Sequence, residues 1–267
     1  MYLKGSVLLL LAAVAAQAAP IVFSATGTAA DITSTVNDFR VALGILNPPG
    51  ACTPSPCTSG RREVNWDAVP AGSPRNPFAG DFFNNDGTIP GRTRGLILEP
   101  PPGNTFGVFT ASPAGAGIPA FSPDLIFGTN TNVGTTFNIS FAVPGQPANA
   151  ATTSGFGIVF IDVEVANLTQ MRFFDAGGNL QHSSFATVSG NELFSFLGVQ
   201  FTTERIARVE VTAGGGVLLD GVLMDDFLYG EPVSQVPEPS TVGLLGAGLI
   251  ALAVRIRRDS TGSRRAS

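Results

Sequence analysis

The chain between residues 19 and 235 consists of short aromatic and β-branched runs, each ended within a few positions by glycine, proline, asparagine or aspartate. The full sequence holds 32 glycines, 20 prolines and 20 phenylalanines. Aromatic and β-branched residues favour strands, whereas the residues that end each run favour turns. No sustained run with a helical period occurs in the middle of the chain. The pattern predicts an all-β domain, folded as a jelly-roll-like two-sheet sandwich.

Three local patterns refine this prediction. The segment 155–163 is apolar on both faces, which predicts a strand at the centre of a sheet. The segment 206–212 alternates polar and apolar residues, which predicts a half-buried strand. The segment 38–46 predicts one short helix, with Asp38 as its cap.

The N-terminus carries a short apolar segment that is distinct from the predicted sandwich. Lys4 is followed by the apolar run 6–16, and Ala16 and Ala18 are the small residues of a cleavage pattern. A membrane-spanning helix needs about 20 apolar residues, so this run is too short to remain as an anchor. Residues 1–18 are therefore predicted to be a signal peptide, which directs the chain through the export translocon and is then removed by signal peptidase.

A second short apolar run, 241–254, lies near the C-terminus and is followed by Arg255, Arg257 and Arg258. It predicts a short transmembrane helix, and the arginines place its far end in the cytoplasm by the positive-inside rule. The prolines on both sides of Glu238 hold the preceding backbone extended and prevent helix formation there. A proline-rich linker before a tail anchor that is never cleaved is the alternative interpretation.

The triplet Pro237, Glu238 and Pro239, the apolar run and the arginine-rich tail resemble in their order the PEP-CTERM sorting signal of Gram-negative bacteria. The sorting segment is then 233–267. The resemblance implies that an exosortase, a membrane-embedded cysteine protease, reads the triplet and cuts near it. It also implies transient anchoring in the inner membrane and a final place in the cell envelope or outside the cell, often with exopolysaccharide. The triplet would be a substrate motif and not a catalytic site.

Charge and cysteine content limit what the ectodomain, residues 19–232, can bind. Residues 19–235 hold 9 arginines and no lysine against 18 acidic residues. This balance argues against nucleic acid, because affinity for phosphates comes mainly from lysine and arginine. Cys52 and Cys57 predict a disulfide in an exported chain, with free thiols as the alternative. Two cysteines and one histidine are too few for a structural zinc site.

Acidic residues around the last long strand form a candidate calcium site. Asp220, Asp225 and Asp226 supply the carboxylate oxygens that Ca²⁺ prefers, and Glu231 follows close behind. Neighbouring residues on a strand point to opposite faces, so at most one of Asp225 and Asp226 is expected to join such a site. The alternative is that these carboxylates are solvated or hydrogen-bonded at the ends of the strand.

The single tryptophan marks a candidate carbohydrate contact. Trp66 could stack on a sugar ring while Asn65 and Asp67 bind its hydroxyl groups. The alternative is a tryptophan buried in the core for its large apolar area. Asn65 and Asp67 would then be polar neighbours of a core tryptophan and would have no role in binding a ligand.

No catalytic signature stands out. His182 is the single histidine, so a Ser-His-Asp triad would have to use it, and no Gly-x-Ser-x-Gly elbow occurs. The sequence favours a non-enzymatic envelope or matrix protein that needs no cofactor apart from the candidate calcium. A surface-tethered carbohydrate-active hydrolase and a calcium-dependent carbohydrate-binding module are the alternatives. A cleft lined by two close carboxylates and by aromatic rings would favour the hydrolase.

Overall fold

The structure is a computed structural model that describes a β-sandwich with one α-helix. The residues described are 18–52, 56–112, 117–130, 134–203, 205–215 and 221–234. Ala16, Asp220, the triplet Pro237–Pro239 and the predicted helix 241–254 lie outside them. Within the described part of the chain, no helix is long and apolar enough to cross a membrane.

Fourteen strands are described, and they pair in two sheets. They are β1 (Ile21–Gly27), β2 (Arg61–Val64), β3 (Leu96–Glu99), β4 (Phe106–Thr110), β5 (Leu125–Thr129), β6 (Thr135–Val143), β7 (Gln146–Thr152), β8 (Gly155–Ile161), β9 (Gln170–Phe174), β10 (Leu180–Phe185), β11 (Phe194–Gln200), β12 (Arg208–Ala213), β13 (Leu223–Gly230) and β14 (Val233–Ser234). The first sheet has the order β1-β11-β8-β13-β5-β4, and β2 pairs with β13. The second has the order β10-β9-β12-β6-β7-β14, and β3 pairs with β6. The predicted two-sheet, all-β sandwich is confirmed.

The central and half-buried strands lie where the sequence predicted them. β8 lies between β11 and β13, and all seven of its residues are buried. β12 buries every second residue and leaves the others half-buried, because one face of its sheet is turned away from the core. A turn at 175–179 joins β9 to β10.

Phenylalanine dominates the core between the sheets. The rings there that are at most 2 % exposed include those of Phe83, Phe106, Phe127, Phe137, Phe156, Phe160, Phe173 and Phe227. Many of these rings meet edge to face at centroid separations of 5–6 Å, the arrangement that the quadrupole of an aromatic ring favours. Burial of these rings gives the sandwich a large apolar core.

The helix begins well before the predicted position, and this prediction was wrong. The helix α1 spans Ala29–Leu43, with Thr28 as its N-cap and Asp31 completing a reciprocal capping box. Asp38 lies inside the helix and caps nothing. The side chains that α1 buries recur every three or four residues and pack on the outer face of the first sheet; they are Ile32, Val36, Phe39 and Leu43.

Three strands were not predicted, and one was misplaced. β2 carries two arginines and a glutamate, β7 has no aromatic or β-branched residue before Thr152, and β14 is only two residues long. The sequence of the run 185–188 predicts a strand, but β10 already ends at Phe185. The predicted ectodomain boundary at residue 232 falls just before β14, whose Val233 pairs with Thr152 of β7.

Candidate functional site

A cleft of about 320 Å³ lies at one end of the first sheet, next to the C-terminus of α1. Its walls are formed by Arg40, Leu46, Asn47, Pro48, Pro49, Arg62, Glu63, Asn65, Arg94, Ser122 and Asp226. One side is therefore apolar, with Leu46 and two prolines, and the remainder presents carboxylates, amides and guanidinium groups. No aromatic ring is among these lining residues.

The guanidinium group of Arg40 holds two carboxylates of the cleft together. Its Nη2 lies 3.1 Å from an oxygen of Glu63 on β2 and 3.1 Å from an oxygen of Asp226 on β13. Glu63 also accepts a hydrogen bond from Nε of Arg61 at 2.7 Å. The negative charges facing the cleft are thus balanced by cations from α1 and β2.

A buried ion pair lies behind the cleft. The guanidinium group of Arg62 donates through Nε and Nη2 to the two carboxylate oxygens of Glu231, both at 2.8 Å. Both side chains are only 1 % exposed. Nη1 of Arg62 donates to the carbonyl of Thr93, and Asn47 donates to Glu231 at 2.9 Å. Each buried charge is therefore both paired and hydrogen-bonded, as its loss of hydration requires.

Asp225 and Asp226 meet at one hydroxyl group, contrary to the expectation that they point to opposite faces. The Oγ atom of Ser122 lies 3.2 Å from Oδ1 of Asp225 and 2.7 Å from Oδ1 of Asp226. The pairing of β13 with β8 shifts in register between Met224 and Phe227, which interrupts the regular alternation. The expectation was wrong because it assumed an unbroken strand.

Burial changes the protonation of both carboxyl groups. Burial and, to a smaller extent, the charge of the neighbouring Asp226 raise the pKa of Asp225 to about 8, although the hydrogen bonds from Phe121 and Ser122 oppose the rise. Burial likewise raises the pKa of Asp226 to about 6, although the hydrogen bond from Ser122 and the charge of Arg40 oppose the rise.

Trp66 does not form a surface platform for a sugar. Its side chain is 0 % exposed, and its ring stacks on Phe127 at a centroid separation of 4.1 Å. The indole N–H donates to the backbone carbonyl of Asp225 at 2.9 Å. The alternative interpretation, a core tryptophan, describes its position, because the large apolar ring gains more from burial than from exposure.

The two neighbours of Trp66 differ in what they do. Oδ1 of Asp67 accepts hydrogen bonds from the backbone N–H groups of Asp124 and Leu125, so this carboxylate holds a loop in place. Asn65 lines the cleft, and its side-chain amide has no hydrogen-bond partner among the described residues. Of the three predicted carbohydrate contacts, only Asn65 is among the residues that line the cleft.

The candidate calcium ligands do not form a metal site in the described part of the chain. No group of three or more histidine, cysteine, aspartate or glutamate side chains is placed there to hold a cation. Asp225 and Asp226 bind Ser122 and Arg40, and Glu231 binds Arg62. Their oxygens serve hydrogen bonds and ion pairs within the protein.

The predicted disulfide is present. Cys52 and Cys57 are bonded to each other, and there are no free cysteines.

Ala18, the last residue of the predicted signal peptide, is exposed and precedes β1 by three positions. A cut before Ala19 would therefore leave every described strand intact.

The sequence analysis named Asn65 and Asp226 but missed the other polar residues that build the cleft around Arg40. The available signal was the alternation in β2, where Arg62 and Val64 share the buried face. A buried arginine requires a buried carboxylate as its partner. Glu231, one of the acidic residues near the last long strand, could therefore have been proposed as the partner of Arg62. Ser122 gave no signal, because it lies in a loop whose path depends on the tertiary structure.

Comparison with known families decides the nature of the C-terminal segment. Residues 235–258 match the model of the PEP-CTERM protein-sorting motif. The chain carries a PEP-CTERM sorting motif. Proteins with this PEP-CTERM motif are exported to the cell envelope or the extracellular space, and the motif implies an exosortase-type sorting system. No curated protein matches the chain as a whole.

Several solved structures resemble the PEP-CTERM protein weakly. The module TmCBM61, determined in complex with β-1,4-galactotriose, has 13 % identity and a TM-score of 0.29, covering 51 % of this chain and 83 % of its own. A family 22 carbohydrate binding module of Clostridium thermocellum Xyn10B has 12 % identity and a TM-score of 0.31, covering 61 % and 99 %. The enzymatically active domain of tailspike protein 4 of Bacteriophage CBA120 has 14 % identity and a TM-score of 0.26, covering 58 % and 20 %. Because every TM-score is below 0.5, these likenesses carry no conclusion about this chain.

Proposed function

We propose that the protein is exported, sorted by an exosortase at its C-terminal motif, and displayed in the cell envelope or extracellular matrix as a non-enzymatic, polysaccharide-binding β-sandwich. The observation that carries the sorting role is the family match over residues 235–258. The disulfide between Cys52 and Cys57 supports it, since disulfides persist mainly in oxidising compartments outside the cytoplasm.

The chemistry of the cleft favours a saccharide as its ligand. Sugars present hydroxyl groups at their edges and apolar C–H groups on their faces, and a cleft of this kind needs both polar and apolar walls. The free amide of Asn65 and the side chains of Arg40 and Glu63 offer donors and acceptors, while Pro48 and Pro49 offer an apolar surface. The volume of about 320 Å³ suits a short stretch of a polysaccharide and is at the lower end of ligand pockets.

The pairing of the carboxylates favours binding over catalysis. Glycoside hydrolysis needs one carboxyl group as an acid and another as a base or nucleophile. Glu63 and Asp226 face the cleft, but Arg40 forms ion pairs with both of them, so both carboxylates are engaged within the protein. The aromatic rings that would mark the hydrolase alternative are missing from the lining residues.

The sorting role is tested by the intact mass of the protein recovered from cells of its native kind. We expect the measured mass of the wild type to correspond to a chain that begins at Ala19 and lacks the arginine-rich tail after the triplet. Replacing Glu238 by Ala should leave the tail attached, because the recognised side chain is gone. Glu164→Ala, at an exposed glutamate of the sandwich, is the matched control and should be processed normally. A wild-type protein that retains its tail through Ser267 would contradict cleavage.

The binding role is tested on a glycan array, followed by calorimetric titration of the purified protein with any glycan that binds. Loss of a hydrogen bond on Asn65→Ala should weaken binding by about tenfold, which corresponds to about 1.4 kcal/mol. Asn149→Ala, on β7 of the other sheet, should leave the affinity unchanged. Equal affinity of the Asn65 variant and the wild type would exclude the cleft. Release of reducing ends from the glycan would favour the hydrolase alternative.

A further inference from the structure

We infer that Asp225 and Asp226 share one proton at neutral pH, carried by Asp225 and bridged through the hydroxyl group of Ser122, which makes the stability of this region of the fold decrease as the pH rises. This effect on the stability of the sandwich is separate from the proposed binding role.

A serine hydroxyl group carries one hydrogen and can donate it only once. The shorter of its two contacts, 2.7 Å to Asp226, is the one in which Ser122 donates. The contact of 3.2 Å to Oδ1 of Asp225 then joins two oxygen atoms without a hydrogen unless Asp225 supplies one. A protonated Oδ1 of Asp225 donates to Ser122, and the chain of donors runs from Asp225 through Ser122 to the Asp226 carboxylate.

The other oxygen of each carboxyl group fits this assignment. Oδ2 of Asp225 accepts hydrogen bonds from the backbone N–H groups of Phe121 and Ser122, at 2.6 and 3.0 Å, and so acts as the carbonyl oxygen of a neutral acid. Oδ2 of Asp226 pairs with Arg40 at 3.1 Å, as expected of the ionised partner. One proton therefore satisfies every polar contact of the pair.

The surrounding charges oppose a second negative charge. Arg40 on α1 is the cation that contacts Asp226, and it also binds Glu63 on β2. Asp67, after β2, lies close enough for its charge to act on Asp226, and Asp124 lies two residues beyond Ser122. Arg61 on β2 binds Glu63. Ionisation of Asp225 would add a buried charge, 0 % exposed, to a group in which acids outnumber bases.

The direction of the pKa shifts agrees with this geometry and fixes the sign of the pH effect. Burial raises the pKa of Asp225 to about 8, above its ordinary value of 3.8. A folded state that holds a proton more tightly than the unfolded state gains stability at low pH and loses it as the pH rises through the folded pKa. The window of falling stability for Asp225 therefore extends from about pH 4 to about pH 8.

The direct test is carbon-13 NMR of the aspartate carboxyl groups in the purified wild-type protein. The last proton lost by the pair should leave with a midpoint above pH 7, and the Asp225 carboxyl carbon should show the larger change in that step. A midpoint below pH 7 for this last proton overturns the inference. This measurement needs no substitution and so does not depend on the folding of a variant.

A variant supplies the second measurement. The substitution Asp225→Asn mimics the neutral acid, because the N–H₂ group of the new amide can donate to Ser122 while its oxygen accepts from the two backbone N–H groups. Between pH 5 and pH 7 the unfolding constant of the wild type should rise by up to about tenfold per pH unit because of this proton. Asp225→Asn should remove that contribution, and Asp162→Asn, at an aspartate that accepts a backbone hydrogen bond elsewhere, should retain it. An unchanged slope in Asp225→Asn would overturn the inference.

Discussion

The indole N–H group of Trp66 donates a hydrogen bond to the backbone carbonyl of Asp225, 2.9 Å away. This bond joins two segments that the sequence analysis treated as separate ligand sites. Asp67 and the Asp225 side chain both accept backbone N–H groups from the loop that runs from Phe121 to Leu125. The tryptophan and the aspartates therefore form one structural network, which fixes this loop against β13 beside the cleft.

Replacing Trp66 by Phe should lower the free energy of unfolding by about 2 kcal/mol, because the carbonyl of Asp225 loses its indole donor in a buried place. The ring stack on Phe127 would be kept in part, so the sandwich should still form. Urea unfolding followed by circular dichroism measures the loss. A variant as stable as the wild type would show that the bond between Trp66 and Asp225 contributes nothing measurable.

Most of the strands could be predicted from the sequence because their information is local. The runs 106–110, 135–143, 170–174 and 194–200 carry their own apolar residues and end at turn-forming residues, and they coincide with β4, β6, β9 and β11. β7 lacked this signal. Its residues are mostly exposed, none before Thr152 is aromatic or β-branched, and pairing with β6 and β14 decides their conformation.

The start of the helix and most of the cleft were missed for a different physical reason. The polar residues between Ile32 and Val36 hide an apolar stripe that is visible only when counted in steps of three and four. The cleft combines Arg40, Glu63 and Asp226 from distant parts of the chain, and no single segment contains its chemistry. Such a site depends on strand pairing, which a periodic pattern does not specify.

Replacing Thr28 by Ala should lower the free energy of unfolding by about 1 kcal/mol, because the helix loses its N-cap side chain. The hydroxyl group of Thr28 and the carboxylate of Asp31 form the capping box at the start of α1. Thr33→Ala is the control, since its hydroxyl group donates only to the carbonyl of Ala29 within the helix. Thermal unfolding should separate the two variants; equal midpoints would show that the cap does not limit stability.

Removing the disulfide should lower the free energy of unfolding by about 2 kcal/mol, the contribution expected when a cross-link closes a very short loop. Cys52 and Cys57 are five positions apart, so the bond restrains little of the unfolded chain. The double variant Cys52→Ser with Cys57→Ser should retain the sandwich and become insensitive to dithiothreitol. The wild type should move to the same unfolding midpoint when reduced, and a reductant effect on the double variant would contradict this account.

Replacing Glu231 by Gln should be the most damaging of these changes, with a loss of roughly 3 kcal/mol or more in the free energy of unfolding. The substitution leaves the guanidinium group of Arg62 buried without its counter-charge and places an amide N–H₂ group against its donors. It also weakens the hydrogen bond from Asn47 in the wall of the cleft. Urea unfolding of the purified variant gives the magnitude.

The matched control is Glu210→Gln on β12, where the pair between Arg172 and Glu210 lies at the surface with side chains 40 % and 22 % exposed. Water and salt already screen that pair, so its loss should cost no more than about 1 kcal/mol. High salt should reduce the effect of the Glu210 substitution but leave that of the Glu231 substitution nearly unchanged, because buried charges are screened far less. If both variants lost the same small stability, the Arg62–Glu231 pair would not be a principal support of the cleft.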